Sequence, residues 1–548
     1  MNWGESSMIY EYISRGSNNR EYVCRDQLGK MHNFDSSQIK TKISQGDKFI
    51  NLIVKNGRLY EGTNHITDTI SKYFNIQNIS DLSTELNRVS KYNERNIVAE
   101  IVKYINKPLG NSLESIFVIH GIRRTGKTVA IYQSINRLIQ SGINPDRIKL
   151  ITVINDKDLA TFEGLRKIID NTTSDIIFID EVTRIKDFID NAAYLSDIVG
   201  PKKKIIVAGT DSFVFPKVLS TTLYRRGIVY HSTLIDYIEY VKLNRLGINK
   251  ESIDNYIIHG GVIVETEFSN IQNANNTLSA VTFANIQNSV FRNKRLLGNV
   301  DNRLLKLNQS EFVYFVYNII KDCNNHRDRS ELNRHLKKVI SNLNSYIESN
   351  MGLAISSNHQ NIKLDTLLKL TDILSQLDII TLISNIAINE NIEDTDIKPV
   401  TQIDMICMIQ SLFVTVSANK IIRIDGKLMG KLFENFIISQ TIMYSINHNN
   451  LYNIHYCKYN YKGIQHEVDM VVENNTNILH PIRTAIEIKH SDKFKEEYTD
   501  HLKDKSLESI LGDKFRKVIV YFGDTRMIGE IQLVNVIDYI SNMDKWLN

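Results

Sequence analysis

The octapeptide GIRRTGKT at residues 121–128 is the first stretch whose residue types and spacing indicate chemistry. It fits the pattern G-x-x-x-x-G-K-[ST], in which glycines let backbone N–H groups face phosphate oxygens. Lys127 is expected to reach the β and γ phosphates of a nucleotide, and Thr128 to hold Mg²⁺. The alternative, a strand-to-helix turn with a surface lysine, is disfavoured by the apolar strand before the loop and the helical pattern after it. The other nucleotide-binding candidates in this loop are Gly121, Arg124, Thr125 and Gly126.

An acidic pair, Asp180 and Glu181, follows the apolar run DIIFI. Asp180 can coordinate Mg²⁺ through water, while Glu181 can orient or polarise the water that attacks the γ phosphate. Acidic pairs after apolar strands are common without any function, but the position of this pair downstream of a phosphate loop favours the functional interpretation. The pair therefore predicts nucleotide hydrolysis and not binding alone.

Small hydroxyl residues and a basic pair follow further along the chain. Thr210 and Ser212 come just after the run IIVAG, where Thr210 can sense a γ phosphate by hydrogen bonding, and both could equally cap the next helix. Arg225 or Arg226 could stabilise transition-state charge, in this chain or in a neighbouring subunit. A solvated basic pair is the alternative. The sequence leaves these alternatives open.

A second set of charged residues lies in the C-terminal third. Glu467 and Asp469 share a face of one predicted strand, and Glu487 and Lys489 share a face of the next. With Glu434 on the preceding helix, the carboxylates could hold Mg²⁺ while the lysine positions or activates a water near a phosphodiester. A solvated charge pair is the alternative, because E-x-K is very frequent on exposed strands.

The elements that must position these residues can be predicted from apolar patterns. Four apolar runs, SIFVIHG, KLITVIND, DIIFIDE and KKIIVAGT, alternate with helical patterns, which predicts an α/β fold with a parallel sheet buried on both faces. A long helix over 426–445 and the strands NIHYCKY, HEVDMVVE, TAIEIKH and RKVIVYFG predict a further α/β unit. The predicted units are a small β unit at 1–62, a helical linker at 63–110, a P-loop core at 111–265, a mostly helical region at 266–400 and the C-terminal unit at 401–548.

Composition narrows the class of protein. The chain has 548 residues, more than one hydrophobic core usually supports. Its net charge of +4 means that a nucleic-acid surface would have to be a local patch. Basic segments at 291–297 and 326–343 could follow a phosphate backbone, although an exposed helix face is the favoured explanation. Four cysteines without C-x-x-C spacing fit a reducing cytoplasm, and no apolar run approaches the ~18 residues of a membrane span.

Taken together, the motifs of the first two thirds resemble AAA+-type P-loop ATPases, in particular bacterial and archaeal proteins that carry a C-terminal nuclease-like domain. The resemblance rests on the loop GIRRTGKT, the strand ending in Asp-Glu, the glycine and hydroxyl residues after the next strand, and LYRRG, in which Arg226 matches better than Arg225. YIIHGGV at 256–262 resembles the Gly-Gly turn of that group, and residues 361–397 resemble its winged-helix region. The resemblance implies ATP as the nucleotide and a helical lid with a winged-helix-like region over 266–400.

The C-terminal set resembles the core of PD-(D/E)XK nucleases, which places a glutamate on a helix, an aspartate at a strand end and Glu-x-Lys on the adjacent strand. Glu434, Asp469, Glu487 and Lys489 match by position, and Glu467 is an additional acid. The resemblance implies a restriction-endonuclease-like α/β domain. A matching set of residues does not by itself imply a working site.

The expected function is therefore Mg²⁺-dependent ATP binding and hydrolysis, coupled to binding or cleavage of nucleic acid, with DNA favoured over RNA. The alternative is an ATP-dependent switch or assembly scaffold without phosphodiester cleavage, in which the nuclease-like domain is an inert interaction module; phage defence is suggested only by the pairing of ATPase and nuclease. A homo-oligomer is compatible with both.

Overall fold

A computed structural model describes the part of the chain that contains the phosphate loop and most of the C-terminal unit. The described residues are 9–15, 21–26, 31–35, 48–50, 53–55, 58–60, 73–110, 114–121, 125–154, 160–185, 187–210, 223, 226–232, 235–259, 381–389, 396–399, 405–406, 426–448, 451–476 and 481–548. Predictions for Arg124, Ser212, Arg225, the basic segments and nearly all of the lid and winged-helix-like region lie outside them.

The N-terminal strands form small antiparallel sheets. The strands are β1 (Ile9–Arg15), β2 (Glu21–Asp26), β3 (Met31–Asp35), β4 (Lys48–Ile50), β5 (Ile53–Lys55) and β6 (Arg58–Tyr60). One sheet has the order β3-β2-β1-β4, and β5 pairs with β6. All of these pairs are antiparallel.

The second sheet carries the phosphate loop. Its strands are β7 (Phe74–Asn78), β8 (Ile116–His120), β9 (Ile148–Val153), β10 (Ile176–Asp180), β11 (Lys204–Gly209) and β12 (Gly227–His231), in the order β12-β8-β11-β10-β9-β7. The strands from β8 to β12 pair in parallel, and β7 is antiparallel to β9. The prediction of a parallel sheet built from the four apolar runs is confirmed, because those runs are β8 to β11.

Helices cover both faces of this sheet. They are α1 (Ser83–Val89), α2 (Asn96–Asn106), α3 (Lys127–Gln140), α4 (Phe162–Asn171) and α5 (Phe188–Tyr194), and two further helices, α6 (Tyr237–Leu243) and α7 (Lys250–His259), follow β12 along the chain. Every residue of β8, β10 and β11 is buried, as expected of strands that are covered on both sides. Because parallel strands share a direction, their carboxyl ends meet at one edge of the sheet, where the phosphate loop and the acidic pair lie.

The segment predicted as a helical linker contributes to this unit. Its described part contains the edge strand β7, which the sequence analysis did not predict, and the helices α1 and α2. Leu82, Val89 and Ile101 are completely buried and pack in one core with Phe117 and Ile119 of β8. Residues 73–110 are therefore packed onto the phosphate-loop sheet.

The C-terminal unit is built on a third sheet. Its strands are β14 (Ser384–Asn385), β15 (Ile397–Pro399), β17 (Tyr452–Tyr461), β18 (Ile464–Asn474), β19 (Ile482–Ile488), β20 (Phe515–Tyr521), β21 (Arg526–Ile528) and β22 (Ile531–Asn535), and the short strands β13 (Thr381–Leu382) and β16 (Met405–Ile406) pair with one another. The order along the sheet is β14-β17-β18-β19-β20-β22-β21, with β15 beside β17. The four strands predicted in this unit correspond to β17, β18, β19 and β20.

Helices pack on this sheet as well. They are α8 (Ile386–Asn389), α9 (Gly426–Asn447), α10 (Ser506–Leu511), α11 (Val536–Ser541) and α12 (Met543–Leu547). The long helix predicted over 426–445 is α9. Among the described residues, no helix is long and apolar enough to cross a membrane.

The two α/β units share a hydrophobic core. Tyr237 and Tyr256, from α6 and α7, pack against Phe436 of α9 with ring centroids 5.7 Å and 5.5 Å from it. The Tyr237 backbone N–H donates to Gln440 Oε1 at 2.8 Å, and Gln440 Nε2 donates to the Tyr256 hydroxyl at 3.2 Å. Helices α6 and α7 therefore join the phosphate-loop unit to the C-terminal unit.

Candidate functional site

The phosphate loop leaves β8 at Gly121 and enters α3 at Gly126. Gly126 has φ 78°, the left-handed conformation that glycine adopts most readily, and it caps α3. Gly121 has φ 146°, and a Cβ at this position would lie 2.1 Å from the Ser232 carbonyl oxygen. Both glycines of the motif are thus required by the backbone path. The N-terminus of α3 adds a favourable potential for phosphate at this place.

Lys127 is buried beside the loop, with 5% of its surface exposed. Its Nζ donates to the Gly121 carbonyl oxygen at 2.9 Å and to Thr125 Oγ1 at 3.3 Å. These contacts direct the ammonium group across the loop, where phosphate oxygens would replace them as acceptors. Thr125 Oγ1 also accepts from Ser232 Oγ at 3.1 Å, so the loop is tied to the end of β12.

Thr128 and Asp180 meet at the carboxyl edge of the sheet. The Thr128 hydroxyl donates to Asp180 Oδ2 at 2.7 Å. Burial, and then the negative charge of Glu181, raise the pKa of Asp180, while the Thr128 hydrogen bond and Lys127 oppose the shift. A hydroxyl and a carboxylate are the oxygen donors that Mg²⁺ prefers, so this pair fits the predicted cation.

Glu181 is held by the neighbouring strand and by its own backbone. It has φ 60°, an uncommon left-handed conformation for a residue with a side chain. Thr210, which follows β11, donates its hydroxyl to Glu181 Oε2 at 3.0 Å, and Arg184 Nε lies 3.6 Å from the same oxygen. The acid predicted to act on water and the predicted sensor are therefore in direct contact.

Arg226 lies at the opposite edge of the sheet from the phosphate loop. It directly precedes β12, whose first residue Gly227 pairs with Ile116 at the start of β8, while the loop follows the end of β8. Its Nε is 3.3 Å from Asp197 Oδ1, in a largely exposed pair. Because this position is a whole strand length from the loop, Arg226 does not join the site of its own chain. A contribution to a neighbouring subunit stays a prediction.

Three residues at the loop were missed by the sequence analysis: Ser232, Arg95 and Glu239. Ser232 donates its backbone N–H to the His120 carbonyl oxygen at 2.6 Å, directly before the loop. Arg95 and Glu239 form a buried ion pair beside Thr125 and Gly126. None of the three belongs to a recognisable motif, so only the neighbouring β12 and α6, once placed, could have indicated them.

Replacing Gly121 by alanine is expected to destabilise the unit and abolish ATP binding. The added Cβ would overlap a carbonyl oxygen and the φ angle would be strained, which together correspond to about 4 kcal/mol and a melting temperature lowered by about 10 °C. Gly142→Ala is the matched control, since Gly142 also has a positive φ, 92°, but nothing lies within 4 Å of its added Cβ. Thermal unfolding of both variants with a fluorescent ATP titration tests this; equal stability of the two would contradict it.

The C-terminal candidates Asp469, Glu487 and Lys489 are brought together by β18 and β19. Lys489 Nζ donates to Glu487 Oε2 at 2.5 Å and to Asp469 Oδ2 at 3.2 Å. The Ile488 backbone N–H also donates to Asp469 Oδ2, at 2.8 Å. The side chain of Glu487 is 1% exposed. One ammonium group therefore bridges two carboxylates at the end of β19.

The charges of this cluster are strongly coupled. Burial, and then the charge of Asp469, raise the pKa of Glu487 well above its ordinary value. Burial opposes the charge of Lys489, but the two carboxylates outweigh it and raise the lysine pKa. The cluster thus favours a charged lysine held between two carboxyl groups.

The remaining C-terminal candidates do not join this contact. Glu467 instead lies 3.2 Å from Lys458 Nζ on the neighbouring strand β17. Glu434 lies on α9 next to Phe433, whose ring contacts His490 at a centroid distance of 5.2 Å. Within the described ranges, no group of three or more His, Cys, Asp or Glu side chains is arranged to hold a metal ion. The predicted shell of Glu434, Asp469 and Glu487 stays a prediction.

The chain is similar to several solved structures, at low identity. One is the Aeropyrum pernix ORC2 protein in ADPNP-ADP complexes, with 11% identity, 53% of this chain and 88% of that chain covered, and a TM-score of 0.29. Another is AMPPCP-bound DnaA from Aquifex aeolicus, with 16% identity, 53% of this chain and 97% of that chain covered, and a TM-score of 0.25. A third is the S. cerevisiae Hsp104:casein complex, with 15% identity, 59% of this chain and 62% of that chain covered, and a TM-score of 0.25. With TM-scores below 0.5, these similarities carry no argument about this chain.

Two protein families match parts of the sequence. Residues 113–241 match the AAA domain family (AAA_14), and residues 429–539 match a domain of unknown function (DUF4143). No curated protein matches the chain. The first match covers the phosphate loop, the acidic pair and Thr210, and the second covers Asp469, Glu487 and Lys489. The chain therefore carries an AAA-type P-loop ATPase domain, for which ATP binding and hydrolysis are supported, and a C-terminal domain of unknown function.

Proposed function

We propose that the protein is an Mg²⁺-dependent ATPase whose C-terminal domain acts on a partner in response to the nucleotide. The observation that carries the ATPase proposal is the pair of contacts at the carboxyl edge of the sheet, from Thr128 to Asp180 and from Thr210 to Glu181. These contacts support the proposal of a cation-binding pair, Thr128 and Asp180, and of Glu181 as a base at the edge of the sheet that carries the phosphate loop. The AAA domain match over 113–241 supports the same proposal.

Each residue of this site has a proposed role in hydrolysis. The N–H groups around Gly126 bind phosphate oxygens, and Lys127 neutralises charge on the β and γ phosphates. Thr128 and Asp180 would hold Mg²⁺, which supplies charge neutralisation at the phosphates when bound. Glu181 orients the attacking water and accepts its proton. Thr210, hydrogen-bonded to Glu181, is proposed to sense the γ phosphate.

The test is binding and turnover in purified protein. Fluorescent ATP analogues should bind in the presence of Mg²⁺, and phosphate release from ATP should be measurable and abolished by EDTA. Absence of nucleotide binding at millimolar ATP with Mg²⁺ would overturn the proposal.

A second proposal concerns nucleic acid, and the contact of Asp469, Glu487 and Lys489 favours it. These residues match the PD-(D/E)XK pattern, and the C-terminal domain is proposed to bind or cleave nucleic acid, DNA before RNA. The alternative is an inert interaction module. A cleavage assay on single- and double-stranded DNA and RNA with Mg²⁺ or Mn²⁺, with and without ATP, separates them. Cleavage that is lost in Asp469→Asn supports a nuclease, and ATP-dependent binding without cleavage supports the module.

A further inference from the structure

Arg95 lies against Thr125 and Gly126 of the phosphate loop. It is the residue before α2, and 5% of its surface is exposed. Its Nη1 donates to the Thr125 carbonyl oxygen. A Cβ added to Gly126 would lie 3.2 Å from Arg95 Cδ, so the arginine stem packs on the last residue of the loop. Arg95 therefore contacts the loop without belonging to its motif.

The contact with Thr125 fixes the orientation of one peptide group. In a trans peptide, the carbonyl oxygen of one residue and the N–H of the next point in opposite directions. The Thr125–Gly126 peptide is trans. Because Arg95 holds the Thr125 carbonyl, the Gly126 N–H points away from the guanidinium group of Arg95.

Glu239 holds Arg95 in this position. Glu239 Oε1 accepts from Arg95 Nε at 3.1 Å, and Glu239 Oε2 accepts from Nη2 at 2.7 Å, which is the bidentate geometry of a strong arginine–carboxylate pair. The Asn96 backbone N–H donates to Glu239 Oε1 at 2.7 Å. Two of the three guanidinium nitrogens thus bind α6, and the third binds the loop.

Helix α6, which carries Glu239, is itself held by hydrogen bonds. Its N-cap Asp236 accepts from the Glu239 backbone N–H at 2.8 Å, and the next residue, Tyr237, binds Gln440 of α9. Burial opposes the charge of Arg95, but the hydrogen bond and charge of Glu239 outweigh it and raise the guanidinium pKa. The arginine stays charged, and its donors stay committed to Glu239 and Thr125.

We propose that Arg95 is a positioning residue of the ATP site: oriented by Glu239, it fixes the Thr125–Gly126 peptide so that the Gly126 N–H binds a phosphate oxygen. This inference rests on the proposed ATPase function. It assigns to the buried pair an effect on phosphate affinity that a purely structural ion pair would not have.

The experiment compares Arg95→Ala, Arg95→Lys and Glu239→Gln with wild type. Dissociation constants are measured for a fluorescent ATP analogue and for inorganic tripolyphosphate as its competitor, at a temperature where circular dichroism reports folded protein. Arg483→Ala is the matched control, because Arg483 also bridges a carboxylate, Glu473 Oε1 at 3.0 Å, and a backbone carbonyl, Leu511 O at 3.2 Å, but in the C-terminal sheet.

Arg95→Ala is expected to raise the dissociation constants of the ATP analogue and of tripolyphosphate by the same factor, about tenfold or more, since one hydrogen bond to a charged group is lost. Arg95→Lys should not restore the affinity, because an ammonium group cannot form the planar fork that Glu239 and Thr125 share. The affinity of Glu239→Gln should lie between those of wild type and Arg95→Ala. Arg483→Ala should bind both ligands like wild type even if it is less stable. Folded Arg95→Ala with affinities within twofold of wild type overturns the inference and leaves the ATPase proposal intact. Absence of binding in wild type would instead overturn the ATPase proposal.

Discussion

Glu181→Gln is expected to bind ATP as wild type does and to hydrolyse it about 100-fold more slowly or worse. The substitution keeps the size of the side chain and an oxygen that can accept from Thr210, but it removes the carboxylate that takes a proton from water. Thr210 and the left-handed backbone at residue 181 hold the side chain in place, so the loss should appear in kcat and not in KM.

Two variants control this measurement. Glu163→Gln changes an acid that is 57% exposed on α4 and pairs with Lys167, and this variant should hydrolyse ATP at the wild-type rate. Lys127→Ala removes the buried ammonium group and should lose ATP binding itself. Phosphate release at saturating ATP compares all three, and wild-type turnover in Glu181→Gln would refute its role as the base.

Lys489→Met is expected to destabilise the C-terminal unit by about 3 kcal/mol at neutral pH. The variant leaves Asp469 beside Glu487, which is almost fully buried, without the ammonium group that bridges them. Urea unfolding followed by the fluorescence of Trp546 reports on this unit, since Trp546 is buried in its core. Replacing Trp3, the other tryptophan, by phenylalanine makes the signal specific.

The loss of stability in Lys489→Met should grow as the pH rises. Burial and then Asp469 raise the pKa of Glu487, and Lys489 opposes this shift, so removing the lysine raises the pKa further and makes the ionised carboxylate more costly in the variant than in wild type. The deficit should therefore widen as the pH rises above the ordinary range of a glutamate carboxyl group. Lys495→Met is the control, because its pair with Glu497 is exposed and such pairs contribute little to stability. A deficit equal to that of the control at every pH would show that the bridge from Lys489 to Asp469 and Glu487 does not stabilise the fold.

The residues that could be predicted from sequence are those that lie in local patterns. Lys127 and Thr128 follow the loop glycines directly, and Asp180 ends a fully buried strand. Continuous apolar runs predicted β8 to β11 because a strand covered on both faces has no polar side. Strand β7, FNIQN, was missed because it has no continuous apolar run: Phe74 is its one buried residue.

The contacts that could not be predicted join residues far apart in the sequence. Arg95 and Glu239 are 144 positions apart, and neither belongs to a local pattern that indicates a contact between them. The pairing of Glu467 with Lys458 depends on the register of β17 and β18, which E-x-D spacing does not fix. The placement of Arg226 depends on the direction of β12, and an arginine pair in a sequence carries no information about the edge of the sheet on which it lies.

The aromatic contact of α6 and α7 with α9 has a consequence for dissecting the chain. A fragment that stops before α9 would leave the rings of Tyr237 and Tyr256 in water and deprive the Tyr237 N–H and the Tyr256 hydroxyl of their Gln440 partner. The same cut would loosen the helix on which Glu239 stands. A minimal soluble ATPase fragment must therefore retain α9, even though that helix belongs to the other domain by sequence.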